Sequence, residues 1–348
     1  MGQRAIPRPL RSHQPLLEAV PHLRMDYVES ANLARMLATS ATLPMAIVSF
    51  GAPVSSAVSC PVITLDLPQL DGRPLLEVWT SDQPVAVHRM NEFSAATSGE
   101  ILAGTLQLEE EPGAGLQLTT ERVYRRLLRH VQELGFPYLW RIWNFFPGIN
   151  EDEHGLERYR QFCVGRFQAL AGTLQGFPGS LPAGTAVGTR SGPLQLYVLA
   201  GTHPATHLGN PRQVHAYEYP EHYGPCSPSF ARATLIESDL HTQLFISGTA
   251  SVVGHESRHI GLPETQTRET VDNLRALVAH AEELSGTTRH HQSSHGRYKV
   301  YVRQPDHLEA IQQALSIPLF ASSQIVYLQG DLCRRELLVE IEGVVTTD

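Results

Sequence analysis

The feature that most constrains the fold of this chain is an internal repeat. The segment ILAGTLQL around Gly104 resembles LFISGTASVV around Gly248, and each has the character of a strand that ends near a glycine. In both copies a helix pattern follows, then a strand that stops at a proline, a second helix pattern and a last strand. Both halves of the chain therefore give the order strand, helix, strand, helix, strand.

The spacing of apolar residues defines the elements of each copy. The first helix patterns are TTERVYRRLLRHVQEL, after a cap at Thr119 or Thr120, and TQTRETVDNLRALVAHAEEL. Each places one apolar stripe at helical spacing: Val123, Leu127, Leu128 and Val131 in the first, and Val271, Leu274, Leu277, Val278 and Ala281 in the second. The next elements are strands LWRIWNFFP and RYKVYVRQP, helices ERYRQFCVGRFQAL and DHLEAIQQAL, and strands LQLYVLAG and LLVEIEG.

A unit repeated in this way predicts an α/β (α+β) protein of two domains. Each domain is a mixed sheet with helices on one face, so the free faces of the two sheets can pack together. The segments LLEVWTS and QVHAYEY are read as additional strands that precede the copies. The length of 348 residues suits two domains. We expect a helical N-terminal extension over 1–45, a first domain over 46–205, and a second domain over 206–348 that carries most of the catalytic residues.

Charge and hydropathy exclude several classes of partner. The chain has 27 Lys+Arg against 35 Asp+Glu, a formal charge of −8, so it has no basic field to attract nucleic acid. No apolar run is long enough to span a membrane, and the start, MGQRAIPRPLRSHQP, has no signal-peptide core. We expect a cytoplasmic protein with a small-molecule partner, and the oligomeric state stays open. An anionic ligand would need local arginines.

Cysteine and histidine give no metal site in the sequence. The cysteines form no CxxC pair and are expected to be reduced, mostly buried thiols: Cys60, Cys163, Cys226 and Cys333. Several histidines fall in one polar tract, RHHQSSHGR, which is expected to be an exposed loop. These patterns predict a protein without a metal.

Long segments of the chain carry a resemblance to a known family. They are LWRIWNFFPGINEDEHGLERYRQFCVGR, RQVHAYEYPEHYGPCSPSFARA, SGTASVVGHES and GDLCRRELLVEIEG. The second copy resembles the YjgF/RidA family in its QT helix entry and its VEIE strand. Over about residues 70–345 the chain resembles the chorismatases, which contain two such domains. The resemblance implies that chorismate is the substrate and that its enolpyruvyl ether is cleaved to release pyruvate, with no metal or organic cofactor.

Arginines and tyrosines in these segments are candidate substrate-binding residues. Chorismate carries two carboxylates, and arginine forks hold such groups in a fixed orientation. Arg166 follows Tyr159 by two helical turns, so both side chains project from one face. Arg232 follows Tyr223 at the entry to a strand, and Arg303 ends YKVYVRQP, at positions where binding groups often collect. For each arginine, an exposed surface charge is the alternative.

Glu340 is the candidate catalytic acid. In LLVEIEG, strand alternation places Leu337, Val339 and Ile341 on one face and Leu338, Glu340 and Glu342 on the other. If the first face packs on helices, Glu340 points toward the other domain. Removal from water raises the pKa of a carboxyl, as protonation of a vinyl carbon near neutral pH requires. The resemblance places the family's catalytic glutamate at this position, whereas Glu342 is expected to be a solubilising charge on an edge strand.

Cys333 and Ala250 bear on the type of product. On residue type alone, Cys333 is expected to be a small buried group rather than a nucleophile. Within the chorismatases, a cysteine here is similar to the branch that forms 3-hydroxybenzoate, with some 4-hydroxybenzoate, where it shapes the pocket. Ala250 in SGTAS instead resembles the hydrolytic branch, which gives a dihydroxycyclohexadiene carboxylate. We favour the benzoate-forming reaction and keep hydrolysis as the alternative.

Two other functions compete with this interpretation. The residues from His255 to His259 match HExxH, the pattern of a zinc hydrolase, but Gly261 and Pro263 leave too short a helix for such a site. The second alternative is a YjgF-like binding protein without catalysis, which an exposed Glu340 or scattered arginines would favour. Nucleotide binding is not supported, because glycine-rich segments such as GTAVGTRSG lack the lysine of a phosphate loop.

Overall fold

A computed structural model of the protein describes residues 23–54, 57–238, 241–286 and 295–347. Residues 1–22 of the predicted N-terminal extension, and most of the His-rich tract, lie outside these residues. In the described part, three β-sheets surround a shared core, and helices cover the outer faces of the sheets.

The first sheet has four strands in the order β1-β4-β2-β3. Its strands are β1 (Arg24–Glu29), β2 (Leu43–Phe50), β3 (Val62–Leu65) and β4 (Leu75–Ser81), and helix α1 (Leu33–Thr39) covers it. The prediction of a helical extension is wrong over Arg24–Glu29, which pairs with β4. Met25 and Tyr27 are two residues apart and both buried on one face, and this alternation is typical of a strand. LLEVWTS is a strand, as expected, but it belongs to this separate sheet. Strand β2 crosses the boundary expected after residue 45.

The second sheet has six strands in the order β11-β8-β12-β7-β6-β5. Its elements are β5 (Ala86–Met90), β6 (Phe93–Ser98), β7 (Ile101–Leu108), α2 (Gly115–Glu133), β8 (Tyr138–Pro147), the hairpin β9 (Asp152–Glu153) and β10 (Leu156–Glu157), α3 (Arg158–Ala171), β11 (Ala183–Thr189) and β12 (Leu194–Gly201). Helix α2 begins four residues before the predicted threonine cap. Helices α2 and α3 pack on the face that carries Ile142 and Phe146.

The third sheet has six strands in the order β13-β14-β15-β20-β18-β19. Its elements are β13 (Thr206–Leu208), β14 (Ala233–Glu237), β15 (Thr242–Ala250), the hairpin β16 (Val252–Val253) and β17 (Glu256–Ser257), α4 (Pro263–Ser285), β18 (His295–Val302), α5 (Leu308–Leu315), β19 (Gln324–Gln329) and β20 (Val339–Thr347). Helices α4 and α5 pack against Val300, Val339 and Ile341.

The predicted repeat is confirmed by the strand orders. Read from opposite ends, the two six-stranded sheets have the same order, in which β7, β8, β11 and β12 correspond to β15, β18, β19 and β20. The parallel edge strands β11 and β19 were not predicted as separate elements. QVHAYEY is not a strand: it lies between Pro211 and Pro220 and contains a 3₁₀ turn at Ala216–Glu218.

The inner faces of all three sheets form one core. It includes Met45 and Trp79 from the four-stranded sheet, Trp143 from the second sheet, and Phe245 and Tyr301 from the third. The Trp79 ring lies 5.9 Å from that of Trp143, at an angle of 61°, which is a favourable edge-to-face contact. Burial of each large apolar side chain contributes about 1.5–3 kcal/mol, so this core is the main attraction between the sheets. We propose that the four-stranded sheet is an integral part of the protein core, packed against the two six-stranded sheets, and not an N-terminal extension.

Candidate active site

Strand β20 carries two glutamates into the space between the domains. Its alternation places Val339 and Ile341 on the helix side, whereas Glu340 and Glu342 face inward and are 4% and 1% exposed. The expectation that Glu340 points toward the other domain is therefore met by the geometry. Glu342 is not a solubilising edge charge, because β20 lies between β15 and β18 in the middle of the sheet.

Glu342 is bound by donors from both domains. Arg141 Nη2 lies 2.6 Å from its Oε2, and Thr185 donates a hydrogen bond to the same oxygen. Its Oε1 accepts hydrogen bonds of 2.9 Å from Trp143 Nε1 and Tyr301 Oη, and lies 2.7 Å from Lys299 Nζ. The nearby cations lower the pKa of Glu342 despite burial, so this carboxylate is charged at neutral pH.

Lys299 extends this cluster to the four-stranded sheet. Its Nζ lies 2.6 Å from Glu77 Oε2 and also donates to the hydroxyl of Tyr197. Trp79 Nε1 donates to the other oxygen of Glu77, at 2.7 Å. We call the four charged residues Glu77, Arg141, Lys299 and Glu342 the interface network. It contains two cations and two carboxylates, all buried, and each of the three sheets contributes at least one.

Glu340 differs from Glu342 in having no strong partner. In the described part of the chain, no side chain donates a hydrogen bond to its carboxyl. The carboxyl lies against Gly248, where an added Cβ atom would be 2.0 Å from Oε1. The pairing of β15 with β20 shifts between Ile246 and Thr249, so Gly248 lies in the irregular part of β15 and contacts the acid from there. Ala250, the predicted subtype residue, is the direct cross-strand partner of Glu340 and is buried.

The surroundings of Glu340 raise its pKa to about 8. Burial is the largest cause and the charge of Glu342 adds to it, while the cations Arg141, Arg232 and Arg303 act in the opposite direction. A carboxyl of this kind is largely protonated at neutral pH. It can therefore act as a general acid under conditions in which an ordinary glutamate is already ionised.

A cavity of about 500 Å³ opens beside this acid. Its lining includes three of the predicted residues, Tyr159, Tyr223 and Cys333. Glu340 is not part of the lining, but it lies near enough to Cys333 that its ionised form would raise the pKa of that thiol, so Cys333 links the acid to the cavity. Burial raises the pKa of the Cys333 thiol to about 12, and Glu340 adds to the shift. Cys333 is thus a neutral thiol on the cavity wall, in accord with its predicted role as a shaping group.

Two of the predicted arginines flank one aromatic ring. The guanidinium carbons of Arg166 and Arg232 lie 5.9 and 5.0 Å from the centre of the Phe230 ring. Arg166 donates to the carbonyl of Ser229, and Arg232 donates from Nη2 to the hydroxyl of Tyr219 at 2.6 Å. The Nε of Arg232 and the hydroxyl of Ser229 are buried without a partner among the described residues. Unpaired buried donors are costly unless a ligand satisfies them.

The third predicted arginine, Arg303, has a different environment. Its Nε donates to the Leu337 carbonyl, and its Nη2 donates to the carbonyls of Leu332 and Arg334, at 2.7–3.1 Å. Its Nη1 donates to Asn150 and Asp331 at 3.0 and 2.7 Å. All five N–H groups are therefore engaged. Arg303 holds the segment that leads to Cys333 and Glu340, and it offers no unengaged fork to a carboxylate.

The HExxH residues do not form a zinc site in this arrangement. Glu256 and Ser257 lie in the short hairpin β16–β17, not on a helix. His255 pairs through Nδ1 with the Tyr223 hydroxyl at 3.1 Å, whereas His259 pairs through Nε2 with Glu269 at 3.0 Å. In residues 23–347, apart from the undescribed gaps, no group of three metal-ligating side chains converges. The two imidazoles serve separate structural contacts.

Several site residues escaped the sequence analysis. Arg334 lines the cavity, lies 4.2 Å from the centre of the Tyr223 ring and donates to Ser257 at 3.0 Å. Arg141 and Lys299 were also missed. Both residues could have been identified from the sequence. A charged residue flanked by apolar neighbours inside a strand pattern, as in LWRIWNFFP and YKVYV, indicates a buried ion pair.

The fold and the site define a class of protein. It is an α+β protein with two repeated domains, and an isolated, protonated carboxyl stands beside a cavity between them. The family model described as "Chorismatase FkbO/Hyg5-like, N-terminal" matches residues 77–200. A "3-hydroxybenzoate synthase" from Streptomyces hygroscopicus is 36% identical over 318 residues, which cover 84% of this chain and 90% of that protein.

Further comparisons agree with this class. A "Chorismatase" from the same organism is 35% identical over 281 residues, covering 79% of this chain and 80% of the relative. A crystal structure of a chorismatase superposes with a TM-score of 0.85 at 30% identity, covering 94% of this chain and 100% of that one. The chain therefore belongs to the chorismatase family, and its interpretation as an enzyme of the chorismate-cleaving class is confirmed. Among the described helices, none is long and apolar enough to cross a membrane.

Proposed function

We propose that the protein cleaves the enolpyruvyl ether of chorismate to pyruvate and 3-hydroxybenzoate, with Glu340 as the general acid. The observation that carries the proposal is the pKa of about 8 for a buried carboxyl beside a cavity of about 500 Å³. Glu340 donates its proton to the terminal methylene carbon of the enolpyruvyl group. The ether carbon then becomes an oxocarbenium-like centre, which activates the ring–oxygen bond for cleavage.

The second step releases pyruvate from the ring. The C4 hydroxyl oxygen attacks C3, the C3–oxygen bond breaks, and its electron pair becomes the carbonyl of pyruvate. The hydroxyl proton is lost and the resulting epoxide opens and aromatises to 3-hydroxybenzoate, with 4-hydroxybenzoate as a minor product. Chorismate contains all the atoms of pyruvate and hydroxybenzoate, so no water is consumed. The relative named 3-hydroxybenzoate synthase supports this outcome.

Two sets of arginines would hold the two carboxylates of chorismate. We propose Arg166 and Arg232 for one of them, because both flank Phe230 and the buried Arg232 Nε lacks a partner in the described chain. Arg334 on the cavity wall would hold the other carboxylate, with Tyr159 and Tyr223 as walls for the ring. Arg303 would support the segment of Cys333 instead of contacting substrate.

Hydrolysis is the second candidate reaction. In this case a water attacks the oxocarbenium centre, and the ring leaves as a dihydroxycyclohexadiene carboxylate. The observation in its favour is Ala250, which stands directly opposite Glu340 and resembles the residue of the hydrolytic branch. We propose that the neutral thiol of Cys333 offers only a weak hydrogen-bond donor at its own position on the cavity wall, and so disfavours an ordered water there.

The proposal is tested by incubating the protein with chorismate after exhaustive treatment with a chelator. We expect undiminished release of pyruvate, in an amount equal to the sum of 3-hydroxybenzoate and the minor 4-hydroxybenzoate, because the proposed acid and binding groups are all side chains. A diene as the main product would establish the hydrolytic reaction. Turnover that disappears and returns with zinc would contradict the cofactor-free proposal, and no turnover with or without metal would favour a binding protein.

A further inference from the structure

We propose that Glu342, fixed by Arg141 and Lys299, is a positioning residue that keeps Glu340 protonated and correctly placed. The inference rests on the proposed function, in which Glu340 is the acid. It concerns a residue that does not contact the substrate cavity. Glu342 acts on the chemistry only through its neighbour on the same strand.

The geometry gives Glu342 a direct influence on the acid. The two glutamates are two residues apart on one face of β20, so their Cα atoms are separated by about 6.6 Å. No cation is bonded between them, because Arg141 and Lys299 bind Glu342 itself. Two carboxylates this close in a buried region cannot both be ionised without a large cost. The carboxylate with five donors stays charged, and the one without donors keeps its proton.

A chain of hydrogen bonds also couples the positions of the two groups. The Thr185 hydroxyl donates a hydrogen bond to Glu342. The oxygen of this hydroxyl accepts a hydrogen bond of 2.9 Å from the Gly248 N–H. Gly248 is the residue against which the Glu340 carboxyl lies. Glu342 thus anchors Thr185, Thr185 anchors the irregular part of β15, and this backbone forms the wall of the acid.

The charges in the interface network are balanced without Glu340. Arg141 and Lys299 contribute two positive charges, and Glu77 and Glu342 contribute two negative charges. An ionised Glu340 would add an unmatched negative charge to this buried region. The network therefore favours the neutral acid, and removal of one network carboxylate would leave an excess cation that favours its ionised form.

Other titratable groups also face Glu340 and contribute to its pKa in the wild-type protein. Arg141 comes from β8, Arg232 precedes β14, and Arg303 follows β18; these three cations lower the pKa of Glu340. The thiol of Cys333 faces it from the preceding segment and is neutral because burial raises its pKa to about 12. Only Glu342 contributes a nearby negative charge among the leading influences on the acid.

The test is the pH dependence of kcat in charge variants of the network. In the wild type we expect kcat to fall as pH rises through the pKa of Glu340. Glu342→Gln removes the negative charge, so the midpoint of this fall should move to lower pH by about one unit or more, with activity regained in acid. Lys299→Met removes a cation, so the midpoint should move to higher pH. Tyr301→Phe, which removes one neutral donor to Glu342, is the matched control and should leave the midpoint in place.

Opposite shifts are the readout that a purely structural role would not produce. If the folded variants lose activity equally at every pH with an unchanged midpoint, the inference is overturned. If Glu342→Gln does not fold, Lys299→Met decides the question by the presence or absence of its upward shift. If Lys299→Met does not fold either, Glu77→Gln decides: loss of this network carboxylate should also move the midpoint to lower pH, and an unchanged midpoint would refute the role of the network.

Failure of the proposed function would look different. In that case Glu340→Gln would keep both its activity and the high-pH fall of kcat, so another group would be the acid. An unchanged midpoint in the Glu342 and Lys299 variants, combined with an inactive Glu340→Gln variant, would refute only the role of the interface network.

Discussion

The two six-stranded sheets have the same strand order but contribute differently to the site. Counted back from Pro147 and Pro305, Arg141 on β8 corresponds to Lys299 on β18, and Trp143 corresponds to Tyr301. Both sheets thus place a cation and an aromatic side chain on the inner face at equivalent positions. The core of the interface retains this symmetry.

The strands beside them break the symmetry. Trp143 and Arg141 pair with Tyr197 and Leu199 in the second sheet. At the equivalent positions of the third sheet, Tyr301 and Lys299 pair with Glu340 and Glu342. The register shift around Gly248, the residue that contacts the acid, has no counterpart between β7 and β12.

This difference shows how a duplicated fold can carry a single acid. One sheet supplies two carboxylates and an irregular strand that makes room for one of them. The other sheet supplies Arg141 and Trp143, which bind Glu342, and Tyr197, which accepts a hydrogen bond from Lys299. Neither sheet alone has the composition of an active site, and the predictions below exploit the asymmetry.

The largest effect is expected from removing the acid. Glu340→Gln keeps size and burial but cannot protonate the enolpyruvyl carbon, so kcat should fall by about 10²–10⁴-fold with little change in KM. The equivalent change in the other sheet, Tyr197→Phe, should lower kcat by less than about tenfold, because Tyr197 accepts a hydrogen bond from Lys299 and donates one to Glu77 but transfers no proton to the substrate. Steady-state kinetics of both variants measure the contrast. Equal losses in the two variants would mean that the sheets are not functionally different.

The two repeat glycines should respond to alanine in opposite ways. At Gly248 an added Cβ atom would be 2.0 Å from Glu340 Oε1, so Gly248→Ala should displace the acid and lower kcat by about tenfold or more. At Gly104 the added atom would be 2.8 Å from the Phe93 ring, so Gly104→Ala should cost about 1–3 kcal/mol of stability while kcat is retained. Kinetics and thermal unfolding separate the two outcomes. A stability loss without a kinetic loss at Gly248 would contradict the assigned position of the acid.

Cys333 should control products rather than cleavage. Cys333→Gln adds donor and acceptor groups that can hold a water near the activated substrate. Pyruvate release should continue, while the diene product rises several-fold relative to 3-hydroxybenzoate, as measured by product chromatography. Cys226→Gln, on the wall of the same cavity, is the matched control and should keep the original ratio. An unchanged ratio in the Cys333 variant would make it a packing residue.

The smallest effect is a change of stability with pH. The pKa of Glu340 is raised from 4.5 to about 8 in the folded protein, so unfolded chains lose this proton first. Its contribution to stability is therefore present below pH 4.5 and lost as pH rises to about 8. Glu340→Gln lacks this loss and should be more stable than wild type by a few kcal/mol at pH 8, but not at pH 4.5. Denaturant titrations at several pH values measure the difference. A constant difference would contradict the raised pKa.

Periodicity and the repeat predicted most of the fold. Strand β7 and strand β12 have the predicted bounds, Ile101–Leu108 and Leu194–Gly201, because their apolar runs end sharply at polar or glycine residues. The edge strand β11 was missed because AGTAVGT has few large apolar residues. The segment Arg24–Glu29 was misread, since a short apolar pattern fits a helix or a strand until its partner strand is known.

The direction of a single side chain on a strand could be predicted from the sequence. The burial and contacts of a side chain that has partners on several distant elements could not. Strand alternation correctly oriented Glu340, because the period of a strand fixes the face of every side chain. The same rule also oriented Glu342, but its burial depends on Arg141 and Lys299, which lie some 200 and 43 residues away in the sequence. Likewise, the saturation of Arg303 by main-chain carbonyls follows from a loop whose path no local pattern specifies.

The interface network links the three sheets in folding. It also limits which substitutions the sheets can accept. Glu77, Arg141, Lys299 and Glu342 come from four strands, and loss of one member would leave a buried charge uncompensated at a cost of roughly 3–5 kcal/mol. A substitution that changes the charge at one of these positions therefore requires a compensating substitution at another position of the network. The outer helices of the two copies are outside this constraint, whereas the buried charges that join the sheets can change only in matched pairs.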